Sequence, residues 1–93
     1  MNESKIIAAV DAFTRWNRPW EFYEITKAHV FLSNDDRAEL AEIWKEVCRA
    51  DHWMHPLLSQ GAAAADQSLT ARFPWLPSKT RAQFVNAASY QWR

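Results

Sequence analysis

The sequence predicts an all-α fold, a small single-domain bundle of four to five helices. Three observations carry that reading. Apolar residues recur at spacings of three and four in successive segments, the period of a helix face. Gly61 is the single glycine of 93 residues and strictly alternating apolar runs are missing, so hairpin turns and strands have little support. Pro19 and Pro56 each stand where a new helix can begin, because the first turn needs no N–H from its first residue.

The first helix is expected over residues 3–17, with Ile6, Ala9, Val10, Phe13 and Trp16 on one face. The second is expected over 19–32, where Glu21 and Glu24 complement the positive end of the dipole; Val30-Phe31 offers a short strand as the competing reading. The third, over 34–52, has the fullest specification: Ser33 as N-cap, Asp36 to complete a capping box, and a stripe of Leu40, Ile43, Trp44, Val47 and Cys48. Glu42, Lys45, Glu46 and Arg49 form its predicted wet face.

Helix four is expected over 57–72, with Leu58, Gly61, Ala62, Ala65 and Leu69 on one stripe. A glycine inside a helix costs about 1 kcal/mol relative to alanine, so Gly61 points either to another backbone passing close by or to a break that shortens the helix. Phe73-Pro74-Trp75-Leu76-Pro77 is too apolar to hang in water and too proline-rich to be helix, and is read as a buried connector. The last helix is expected over 79–92, capped by Ser78 or Thr80, with Phe84, Val85, Ala88 and Trp92 inward.

Eleven basic and eleven acidic side chains cancel, which removes the overall positive field of a dedicated nucleic-acid binder. The charge is nevertheless polarised: residues 33–59 hold six acidic against three basic side chains, and residues 60–93 one against four. A lone cysteine, Cys48, excludes an internal disulfide framework and suits a reducing compartment. No apolar run approaches the roughly 18 residues that span a bilayer, and the N-terminus lacks a signal-peptide pattern, so cytoplasmic residence without membrane attachment is expected.

Cys48, Asp51, His52 and His55 would share a face if the third helix continued, and with His29 they offer a zinc-ligand set. Against it, zinc sites generally draw two ligands from each of two elements, Pro56 ends the helix near His55, and Cys48 lies on the apolar stripe. Neither metal nor cofactor is therefore expected. No phosphate loop, nucleophile elbow or zinc-protease motif occurs, and a reactive thiolate is disfavoured where the neighbourhood is acidic. Catalysis is not expected.

A nucleic-acid reading treats helix four, the connector and helix five as a helix-turn-helix, with Lys79, Arg81, Gln83 and Asn86 reaching a groove. The turn is longer than usual and lacks glycine. The preferred reading is a protein-binding module, an inhibitor, immunity or phage-type accessory protein that occludes a partner's surface. Six tryptophans are hard to bury in so small a body, and exposed Trp, Tyr and Arg are favoured interface anchors. Trp20, Tyr23, Trp53, Tyr90, Trp92 and Arg93 are the candidate anchors, with Glu42 and Glu46 as an acidic face for a basic partner.

Overall fold

The first helix, α1 (Glu3–Asp11), forms on the predicted apolar face but stops six residues early. The computed structural model describes residues 3–54 and 56–91, and all the regular structure among them is helical. Phe13 and Trp16 lie beyond the end of α1 and pack together edge to face, with Phe13 also edge-on to Phe22. Turning the chain there buries Phe13 in the core, whereas Thr14 and Asn17 would gain little as helix interior.

The second predicted helix also shortens. Pro19–Glu21 forms a 3-10 turn that leads into α2 (Phe22–Lys27), and no strand forms at Val30-Phe31. Arg37 explains the early stop, because its guanidinium donates to the carbonyls of Lys27 and His29, both at 2.9 Å. The His29 carbonyl also accepts from the Leu32 amide at 3.2 Å, so the turn after α2 is closed by backbone and side chain together. Val30, beyond the end of α2, is almost fully exposed.

Helix α3 (Asn34–Val47) begins with the expected capping box. Ser33 Oγ accepts from the Asp36 amide at 3.1 Å, and the Asp36 carboxylate accepts from the Ser33 amide at 3.0 Å. The predicted continuation to residue 52 is overturned: the chain breaks at Cys48–Arg49, where Arg49 is extended at φ −60° and ψ 134°, and a one-turn helix α4 (Ala50–Trp53) follows. Side chains replace the backbone at this break. The Trp53 indole N–H donates to the Val47 carbonyl at 2.9 Å, and His52 Nε2 meets the Glu46 carbonyl at 3.0 Å.

Helices α5 (Leu58–Arg72) and α6 (Ser78–Gln91) form a hairpin joined by the Phe73–Pro77 connector, in which Phe73 and Leu76 are buried as expected. Gly61 has the predicted neighbour. A Cβ built there would lie 2.7 Å from the His52 carbonyl oxygen and 2.7 Å from the Trp53 ring, so α4 rests directly on α5. Thr80 is buried and donates to Asp11 instead of capping α6, which begins at Ser78 itself. The core joins Ile6 and Val10 of α1, Phe22 of α2, Leu40, Ile43 and Val47 of α3, Leu69 of α5 and Phe84 of α6. A radius of gyration of 12.4 Å matches the roughly 12 Å expected of a folded chain of this length.

Candidate functional site

Two parts of the molecule concentrate polar chemistry or accessible surface: a buried carboxylate where α3, α4 and α5 meet, and a pair of grooves on either side of the outer face of α6.

The carboxylate is Glu46, whose side chain is 1% exposed, although its sequence position placed it on the wet face of α3. One oxygen accepts from Arg72; the other accepts from Ser68, from Arg49 at 3.1 Å and from His52 Nε2 at 3.3 Å. Because the carbonyl and the carboxylate that His52 Nε2 meets only accept, Nε2 carries the proton. Burial pushes the Glu46 carboxyl upward, but hydrogen bonds from Ser68, Arg72 and His52 with the charge of Arg49 outweigh it and hold the group at about 2. A nucleophilic triad would need the imidazole between hydroxyl and acid; here the acid stands between the hydroxyl and the imidazole. The arrangement crosslinks three helices.

Among the described residues the proposed metal ligands do not assemble. Cys48 caps α3 and is half-buried, and burial pushes its thiol up to about 12, so neither thiolate nucleophile nor thiolate ligand forms readily. His52 turns toward Glu46. His55 lies outside the described residues, and among those residues no three His, Cys, Asp or Glu side chains come together as a metal site.

The first groove runs between α5 and α6, with a volume of about 470 Å³. Ala62, Ala63, Ala82, Leu58 and Val85 give it an apolar lining, and Asp66 is its charged lining residue. Ala62 and Ala63 line the groove, so this stretch of α5 is open on its outer side. Leu57 and Met54, at the α4–α5 corner before it, are also well exposed. The second groove, about 570 Å³, lies between the loop after α1 and the start of α6, and is lined by Asp11, Phe13, Trp16, Lys79, Ala82, Gln83 and Asn86. Ala82 and Asn86 line both grooves, so they form a low ridge between them.

The predicted anchors divide. Trp20 is 58% exposed and Tyr90 37%, and Glu42 faces solvent. Tyr23 is half-buried, stacked on Trp44 at 5.3 Å with Lys27 lying over its ring. Trp53 is a correction: it is 8% exposed, its indole committed to Val47 and its ring to Gly61. Glu46 is likewise withdrawn from any surface. Trp92 and Arg93 lie outside the described residues. Of the set assigned to nucleic acid, Arg81 pairs with Asp66 at 2.9 Å and donates to the Leu76 carbonyl, while Gln83 donates to Asp11. Lys79 and Asn86 stand exposed.

Comparison with protein-family models, with curated proteins and with solved structures found no match. No helix among the described residues is long and apolar enough to cross a membrane.

Proposed function

We propose that the chain is a small non-catalytic protein-binding module that occludes a surface of its partner, in the manner of an inhibitor, immunity or phage-type accessory protein. The observation that carries this reading is the open groove between α5 and α6. Its lining of Ala62, Ala63, Ala82, Leu58 and Val85 is apolar, with Leu57 exposed beside it. Leu58 to Asp66 covers about 12 Å of helix, enough for two turns of an incoming helix or an equivalent extended segment. Small side chains let another backbone approach closely, and a contiguous apolar concavity is the usual seat of an anchor residue. Trp20 and Tyr90 add exposed aromatic area of the kind interfaces favour.

The test is a pull-down from the native host with the wild-type chain and with Ala63→Arg and Ala82→Glu. Both alanines are exposed, so the substitutions leave the far-UV circular dichroism unchanged. The wild type should retain a stoichiometric protein, each variant should lose it at least about tenfold, and duplex DNA should bind negligibly at low salt. Capture unaffected by either substitution, or tight DNA binding with a steep salt slope, would overturn the proposal.

A further inference from the structure

The second groove differs in chemistry from the first. Its negative group is Asp11, the last residue of α1, where a carboxylate faces the unfavourable end of the helix dipole. Gln83 Nε2 donates to Asp11 Oδ1 at 2.6 Å and Thr80 Oγ1 donates to the same oxygen at 3.3 Å. Both donors are neutral, and Asp11 takes part in none of the salt bridges among the described residues. Its orientation is fixed while its charge stays unpaired. A carboxylate can only accept, so the amide nitrogen of Gln83 must face Asp11, and the carbonyl Oε1 is left as a further acceptor.

The aromatic wall is equally fixed. Trp16 is half-buried, with Phe22 stacked on it at 5.8 Å and an interplanar angle of 23°, and Phe13 edge-on at 4.8 Å. The indole lines the groove with its position set by both rings. An unpaired carboxylate, an amide carbonyl and a half-exposed indole together call for a planar cation that donates along its edge. That description fits a guanidinium, which stacks on an aromatic ring while its N–H groups stay in plane; an ammonium lacks that planar fork.

We infer that this groove receives an arginine side chain of the partner protein, stacked on Trp16 and paired with Asp11. The inference rests on the protein-binding reading and supplies the chemistry of one anchor, set beside the apolar groove across the Ala82–Asn86 ridge. Lys79 lines the same groove and opposes a cation. That opposition makes the sign of its effect diagnostic: removing Lys79 strengthens an arginine and weakens an anion such as a nucleotide.

The experiment titrates N-acetyl-arginine amide into the full ¹⁵N-labelled chain and follows the Trp16 indole N–H, with the neutral citrulline analogue and adenosine monophosphate as comparison probes. The arginine probe should shift the Trp16 signal and the citrulline probe should do so at least about tenfold more weakly. Asp11→Asn keeps an acceptor for Thr80 and Gln83, so the fold persists, and should weaken the arginine probe about tenfold. Lys79→Ala should tighten it severalfold. Equal binding of arginine and citrulline probes, indifference to Asp11→Asn, or preferential binding of adenosine monophosphate that Lys79→Ala weakens would each overturn the inference. No partner is needed for this titration, so its failure leaves capture through the α5–α6 groove standing, and failed capture leaves the arginine result readable.

Discussion

Gly61 shows how one residue sets the distance between two elements. In an isolated helix, alanine at this position would gain about 1 kcal/mol over glycine. In the folded chain the added methyl would meet the His52 carbonyl oxygen and the Trp53 ring, each at 2.7 Å. The carbonyl belongs to the backbone of α4 and the ring is held by its bond to Val47, so neither can move without lifting α4 from α5. Overpacking of that kind typically costs about 1–3 kcal/mol, more than the propensity gain returns. Gly61→Ala is therefore expected to lower the urea midpoint, with a net loss of up to about 2 kcal/mol at pH 7. A raised midpoint would show that the α4–α5 approach is looser than these distances require.

At the scale of elements, α3 is specified locally at its start and from a distance at its end. The capping box is local chemistry, legible as Ser33 followed three residues later by Asp36, and Ser33→Ala should cost about 1 kcal/mol in chemical denaturation. A loss below a few tenths would mean that tertiary packing alone fixes the start of α3. Its end at Val47 depends on the side chains of His52 and Trp53 folding back onto the last carbonyls, and no local pattern announces that. The same reasoning covers α2, which ends where Arg37 takes its carbonyls from ten and eight residues away. Helix existence and the core stripes followed from periodicity, whereas these ends came from long-range side-chain bonds that periodicity does not encode. Glu46 was misplaced for a related reason. At about 100° per residue it lies only about 60° from Ile43, on the border of the stripe, and the inclusion of Trp44 tilted the predicted core toward the opposite border. The buried set is Asp36, Leu40, Ile43, Glu46 and Val47, with Trp44 only half-covered.

For the molecule as a whole, Glu46 is the charge through which three helices depend on one protonation state. Its carboxylate takes Arg49 from the break after α3, His52 from α4, and Ser68 and Arg72 from α5. In the unfolded chain the group titrates near its ordinary value of 4.5, and in the folded chain it is held at about 2. The folded pKa is the lower one, so the stabilisation is fully present above about 4.5 and is lost as pH falls through about 2. A depression of that size corresponds to about 3 kcal/mol, since each unit is about 1.4 kcal/mol. Arg49 and Arg72 keep their charge throughout this range, so the acid limb belongs to the carboxylate. Glu46→Gln removes the titrating group while keeping an oxygen acceptor. The stability difference between wild type and this variant, measured by urea denaturation, is expected at about 2–4 kcal/mol near pH 7. It should narrow steadily from pH 4.5 toward pH 2, because titrations of the other carboxylates occur in both proteins and cancel. A difference that stays constant across that interval would mean that Glu46 titrates alike in folded and unfolded chains, and that packing of Gly61 against α4, not the carboxylate, holds this corner of the bundle together.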